Sequence, residues 1–351
     1  MSVVRIGLIG CGNIAQTIHL PVLRRLPGVA VIALAEPDPQ RREGAHRQVP
    51  TAQAYVQYHD LLAMPAVEAV VICVPTALHA EVTLAALQHR KQIYLEKPLA
   101  TDLDEARRVV TAWRAAGVIG MIGFNYRFSP LYQSVRELVQ RGTLGTLVGM
   151  RSVFATTAKP LPSWKKTRDT GGGVLLDLAS HHIDLLHFLF AQDIYDVFTQ
   201  TCSQQSENDT AVMQFRLSSG LFVQAFFSLT AVEEDRLEIY GTAKKLAVDR
   251  YRSSTVEIFD SSWGAIARLK GFGRSLRSAL PNRHLINKLC SPGHEPSYRT
   301  ALAHFVLCVR MQTPASPDFH DGYRSQVVIA AAEESAKTGK TVSITEEGEY
   351  R

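Results

Sequence analysis

Apolar runs and helical patterns alternate across the first 123 residues, and few folds accept that order. The runs are Val4–Ile9, Ala30–Ala35, Ala69–Val74, Ile93–Leu95 and Val118–Ile122. Helical patterns lie between them at about 14–26, 77–90 and 102–116. Strands that are apolar on consecutive residues leave no solvated face, which suits a parallel sheet covered on both sides. Right-handed crossovers then place helices on both faces, giving a doubly wound α/β domain over 1–123. "TDLDEA" marks one helix start, with Thr101 as cap and acids in the first turn.

From about residue 124 the texture changes. "SPLYQSVRELVQRG" reads as a helix ended by Gly142, and "GGGVLLDLASHHIDLLHFLF" as a glycine turn leading into a long buried helix. "DTAVMQFRL", "LFVQAFFSLT", "RLEIYGT" and "KLAVDRY" then follow one another as strands with short turns, the pattern of an antiparallel sheet. A helix, "SQVVIAAAEESAKTG", and a strand, "TVSI", close the chain. Residues 124–351 therefore read as a second α/β domain.

Several classes of protein fit poorly. The five cysteines are scattered with no CxxC, and the histidines lack metal-ligand spacing, which argues against a disulfide framework or a metal site. No apolar run approaches the roughly 20 residues of a membrane helix, and the first residues do not read as a secretory signal. The expected setting is the reducing cytoplasm. Net charge is +5, yet residues 261–294 hold six basic residues and no acid, so the remainder sums to about −1. This is a local basic insert, and it gives little support to nucleic-acid binding.

Gly10-Cys11-Gly12-Asn13-Ile14-Ala15 is a GxGxxA that closes the first strand and opens the first helix. Gly10 permits the tight turn, Gly12 lets backbone approach a pyrophosphate, and Ala15 allows close helix–strand packing. The helix N-terminus, with Asn13 and Ile14, offers N–H groups and positive dipole to the phosphates. Glu36, ending the second strand, sits where an acid accepts the adenosine ribose hydroxyls and repels a 2′-phosphate. That favours NAD, while Arg41 and Arg42 close by keep NADP open. Pro75 and Thr76 lie just past the next strand, where such sheets bind ligands. His79 is either a cofactor contact or a helix-capping histidine.

These motifs continue in a fixed order: GxGxxA, "VPTALHAEVTLAAL", "EKPLA", "GFNYRFSP", "GGGVLLDLASHHIDLL". Nearly the whole chain resembles the Gfo/Idh/MocA family of sugar and inositol oxidoreductases, and EKP at the end of the fifth strand is the most specific mark. The resemblance implies an N-terminal Rossmann domain with bound NAD or NADP. It also implies a C-terminal domain with a large, open, mostly antiparallel sheet that commonly builds dimers or tetramers. It makes Lys97 the active-site lysine, flanked by Glu96 near the cofactor and by Pro98, which is cis in the family manner. It pairs Asp177 with His181 as DxxxH, and lines the nicotinamide side with Asn125 and Arg127. Trp164 is followed by Lys165 where family members often have Arg, so Lys165 becomes a substrate-contact candidate of altered geometry.

The chemistry suits these residue types. Oxidising a secondary alcohol sends a hydride to nicotinamide and a proton to a base, and an imidazole near pKa 6.5 suits that base. Asp177, four residues before His181, shares its helix face and can orient the ring. Lys97 is open to two roles, electrostatic clamp or proton donor. Asp184 is either a supporting or a purely structural acid; His182 points elsewhere on the helix. The expected substrate is a sugar, nucleotide sugar or cyclitol. Two other readings stand beside it: NAD cycling during glycoside hydrolysis or epimerisation, and a non-catalytic NAD-binding sensor. In the basic insert, Ile266, Leu269, Phe272, Leu276 and Leu280 share a helical face, which reads as a solvated flap, as a contact for anionic lipid, or as a contact for a phosphorylated or nucleotide-linked substrate.

Overall fold

The structure is a computed structural model that describes residues 3–260 and 295–345; the basic insert lies outside the described residues. The chain forms two compact units. One holds residues 3–128, 169–171 and 295–326, the other residues 129–168, 172–260 and 327–345.

The first unit is built on β1 (Val4–Ile9), β2 (Val29–Ala35), β3 (Gln53–Tyr55), β4 (Ala69–Ile72), β5 (Gln92–Leu95) and β6 (Gly120–Ile122), in the order β3-β2-β1-β4-β5-β6. Every pair is parallel. Alternation sorts the side chains into two apolar layers. Ile6, Leu8, Val71 and Tyr94 face one layer, while Ile9, Val70, Ile72, Ile93 and Leu95 face the other. The helices His79–Gln88 and Leu103–Ala116 cover the second layer. The first layer takes the helix that follows the glycine turn and, beneath Tyr94, the distant helix Ser297–Met311 through Leu302 and Phe305. Phe305 stands edge-on to Tyr94 at 5.8 Å.

Local details depart from the sequence reading. β3 is three residues long and half exposed, so it leaves no apolar run. The helix Pro39–Gln48 buries only Ala45 and so shows no apolar stripe. Asp38 and Pro39 are nonetheless its start signals, and Asp38 accepts the Arg41 N–H at 2.8 Å. The cap of Leu103–Ala116 is Asp102, which accepts the Glu105 N–H at 2.8 Å; Thr101 instead donates its hydroxyl to Glu105.

The second unit carries β7 (Leu147–Ala155), β8 (Ile194–Cys202), β9 (Thr210–Leu217), β10 (Phe222–Ser228), β11 (Glu234–Gly241), β12 (Lys244–Asp249), β13 (Glu257–Asp260) and β14 (Val342–Ser343). Their order is β13-β12-β11-β7-β10-β9-β8-β14, antiparallel except for β7 beside β10. One face buries Met150, Phe154, Met213, Phe215, Val223, Phe227, Leu237 and Ile239. Truncating a fully buried phenylalanine such as Phe227 to alanine costs about 3–5 kcal/mol. The other face is open, with Val212, Phe222 and Arg151 exposed. β7 and β8 escape a sequence reading because outward residues such as Arg151, Asp196 and Gln200 break up their apolar texture.

Candidate active site

The glycine turn shows two different demands. Gly10 has φ +86°, and a Cβ there would lie 2.7 Å from the Cys73 backbone carbon. At Gly12 a Cβ would meet no atom within 4 Å. Gly10 is thus required by the protein's own backbone, whereas Gly12 keeps space for something that comes from outside. Behind it the helix begins with a π-helical turn, Ala15–His19, before Leu20–Leu23. Such turns recur at functional sites.

Glu36 is buried and fixed on the same turn. Its Oε2 accepts the Cys11 N–H at 2.7 Å and its Oε1 the Asp38 N–H at 3.1 Å. Each oxygen keeps a second lone pair for a ribose hydroxyl. Arg42 donates Nη1–H to the Glu36 and Pro37 carbonyls at 2.7 and 3.1 Å, which sets a cation beside this acid. Burial, reinforced by the Glu36 carboxylate, pushes the Cys11 thiol up to about 12, so it stays protonated and unreactive. The open flank of Gly12, the helix start behind it and the anchored carboxylate together fit a dinucleotide.

Past β4, Pro75 precedes a short turn, Thr76–Leu78, and Thr76 is buried. Gly171 packs on it so closely that a Cβ would lie 2.5 Å from the Thr76 Cβ. His79 is buried with Nδ1 2.6 Å from the Pro98 carbonyl and Nε2 3.0 Å from the Val74 carbonyl. Its ring therefore serves the protein's own backbone in this arrangement.

Lys97 stands two residues past the end of β5, half-buried, and the Lys97–Pro98 bond is cis. Glu96 follows the face of Tyr94 and meets His19, whose Nε2 lies 2.7 Å from Glu96 Oε1. Asn125, on the turn after β6, donates Nδ2–H to Ser297 Oγ at 2.8 Å. Its Oδ1 is buried and has no partner among the described residues, an acceptor suited to a bound amide. Arg127 pairs with Asp321 at 2.9 Å.

In the second unit, Asp177 lies on the π-helical turn Leu175–Ala179, which runs into the helix Ser180–Phe190. Lys165 reaches Asp177 Oδ2 at 2.9 Å and stands 5.3 Å from the Trp164 ring. His181 is buried, with its ring 6.2 Å from that of Phe154. Asp184 is buried one turn on.

Sequence reasoning passed over several partners. His182 is the centre of a buried network: Nδ1 is 2.5 Å from Ser152 Oγ and Nε2 is 3.1 Å from Asp235 Oδ1. Arg250 donates Nε–H to Asp235 Oδ2 at 2.6 Å, and the Tyr132 hydroxyl donates to Oδ1 at 3.0 Å. Burial would raise the Asp235 carboxyl, but the Arg250 guanidinium and His182 outweigh it and hold it well below the usual carboxylate range. His19, Ser297 and Asp321 were likewise invisible, since each matters only through a residue far away in sequence. Among the described residues no group of three or more His, Cys, Asp or Glu is placed to hold a metal, and no helix is long and apolar enough to cross a membrane.

Residues 4–124 match the oxidoreductase family with an NAD-binding Rossmann fold, and residues 132–247 match the GFO/IDH/MocA C-terminal domain. Myo-inositol 2-dehydrogenase of Thermotoga maritima is 26% identical over 351 residues, covering 97% of this chain and 99% of its own. The 1,5-anhydro-D-fructose reductase of Ensifer adhaerens is 28% identical over 347 residues, covering 97% of this chain and 98% of its own. The crystal structure of a probable dehydrogenase from Thermotoga maritima superposes with a TM-score of 0.79 at 25% identity, covering 97% of this chain and 98% of that one. With its NAD-binding turn in place and both family domains matched, this chain belongs to the Gfo/Idh/MocA family of oxidoreductases.

Proposed function

We propose that the protein is an NAD-dependent dehydrogenase or reductase acting at a carbinol carbon of a sugar, nucleotide sugar or cyclitol. The observation that carries this reading is the presence of Lys97, Asp177 and His181 together with a dinucleotide turn. A mere NAD sensor needs only the turn. The substrate class is drawn from the names of relatives, an inositol dehydrogenase and an anhydrofructose reductase.

Bound NAD supplies the hydride acceptor at its nicotinamide. The chain's own residues then divide the remaining work. His181 takes the hydroxyl proton during oxidation and returns it during reduction. Asp177 favours the charged imidazole, and Lys165 donates to its Oδ2 and holds that carboxylate in place. Lys97 stabilises the developing alkoxide with its ammonium group. Asn125 offers its Oδ1 to the carboxamide. Glu36 holds the adenosine ribose.

The same reading takes the open sheet face as a self-association surface for a homodimer or homotetramer. Val212 and Phe222 are 43% and 64% exposed on it. Beside them Glu238 gathers Arg151, Arg236, Lys245 and the Tyr240 hydroxyl.

A screen of sugars, nucleotide sugars and cyclitols with NAD and NADP, followed by reduced-cofactor absorbance, tests the reaction. Substrate-dependent net NADH formation supports dehydrogenation, while turnover without net NADH points to NAD cycling. Silence across all classes overturns the proposal. Lys97→Ala should lower kcat by about 1,000-fold if the ammonium stabilises the alkoxide.

A further inference from the structure

We infer that His19 and His79 are positioning residues which fix the Lys97 turn from its two sides. The inference rests on the reading of Lys97 as the active-site lysine. The residue before Lys97 and the residue after it are each held by a buried imidazole, and the two imidazoles come from different helices.

His19 is fully buried at the end of the π-helical turn that follows the glycine loop. Its Nε2 lies 2.7 Å from Glu96 Oε1. The ring stands edge-on to Tyr94 at 5.6 Å and to Tyr298 at 5.8 Å, so it is walled on more than one side. Nδ1 has no partner among the described residues. A carboxylate only accepts, so the neutral ring carries its proton on Nε2 and donates it to Glu96. The bond joins the helix behind the dinucleotide turn to the residue beside Lys97, across 77 positions of sequence.

His79 holds the other side. It is 2% exposed, opens the helix after β4, and places Nδ1 2.6 Å from the Pro98 carbonyl. Nε2 reaches the Val74 carbonyl at 3.0 Å, so the ring spans the ends of two neighbouring strands. Neither imidazole has the exposure to meet a substrate, and neither is needed for sheet pairing. Their shared effect is on where the backbone at 96–98 sits, and hence on where the Lys97 ammonium starts from. A misplacement of about 1 Å can cost about 100-fold in rate.

The test compares apolar with donor-retaining replacements in the full chain. His19→Leu and His79→Leu remove the bonds; His19→Gln keeps a donor near the Nε2 position and His79→Asn one near Nδ1. For each variant kcat, KM, the NADH dissociation constant and Tm are measured, together with the acylation rate of Lys97 relative to exposed Lys159 by peptide mass spectrometry. The leucine variants should lose about 10- to 100-fold in kcat with NADH affinity within about 2-fold of wild type, and the donor variants should recover most of it. Lys97 acylation should change in the same order. Should a leucine variant not fold, Glu96→Gln weakens the His19 bond from the other partner and should act in the same direction. Wild-type kcat and wild-type Lys97 acylation in the leucine variants overturn the inference. So do donor variants that lose as much as the leucine ones. If Lys97→Ala keeps full turnover, the catalytic reading of Lys97 falls, whereas altered acylation would still uphold the anchoring.

Discussion

Lys165 Nζ lies 2.9 Å from Asp177 Oδ2, so the acid four residues before His181 already has a cation of its own. Both side chains are partly shielded, at 29% and 21% exposure, and the pair is not a freely solvated one. Lys165→Met should lower kcat/KM by about 10-fold, because it removes the candidate substrate contact and the hydrogen bond that fixes the Asp177 carboxylate. Lys165→Arg should stay within a few-fold, since the charge persists although the geometry changes. Steady-state kinetics on the best substrate from the screen decides this.

On the proposed reading, Glu36 sets the cofactor preference. Its carboxylate is tied to the Cys11 and Asp38 N–H groups, so it cannot swing away from an incoming 2′-phosphate. Glu36→Ser should lower the NAD-to-NADP ratio of kcat/KM by about 10- to 100-fold, with Arg42 already beside the site. Parallel kinetics with both cofactors gives the ratio. An unchanged ratio would remove Glu36 from cofactor selection.

Asp235 makes stability depend on acid. Its folded carboxyl titrates below an unfolded aspartate, which lies near 3.9. The contribution is therefore fully present above about pH 4 and is lost as pH falls through the lower, folded value. Asp235→Asn leaves Arg250 without its buried counter-charge and should cost about 3–5 kcal/mol at pH 7. The gap to wild type should narrow at pH 3. Denaturant titrations at the two pH values measure both effects.

Phe222 tests self-association. It is 64% exposed on β10, where its cross-strand neighbours on the open face are Gly149 and Arg216. If this face joins two copies, Phe222→Glu places a charge in an apolar contact and should shift the molar mass toward monomer in light scattering. The variant's Tm should stay close to wild type if the residue is solvated in the single chain. A wild-type mass would place the interface elsewhere.

The sequence carried much of the first unit on its surface. Five of its six strands are apolar over consecutive residues, and β3 is the exception because three half-exposed residues make no pattern. The cis bond at Lys97–Pro98 agrees with the family resemblance. The second unit was less legible. β7 and β8 lie in a sheet with one open face, so their outward charges masked the alternation. Helical spacing turns His182 away from His181, yet it carries a buried network, because Asp235 and Ser152 reach it from two strands.

What the sequence determined by itself was local. A glycine turn between a strand and a helix, a run of buried strands and an EKP at a strand end each follow from residues a few positions apart. Tertiary structure decided which distant segments complete them. The crossovers leave the Tyr94 side of β4, β5 and β6 without a helix, and Ser297–Met311 covers it from nearly two hundred residues away. The same packing brings Tyr298 against His19 and Ser297 against Asn125. Periodicity reports that a face is apolar. It does not report which apolar face will bury it, because burial is non-directional and is settled only when the whole chain competes for the same surface.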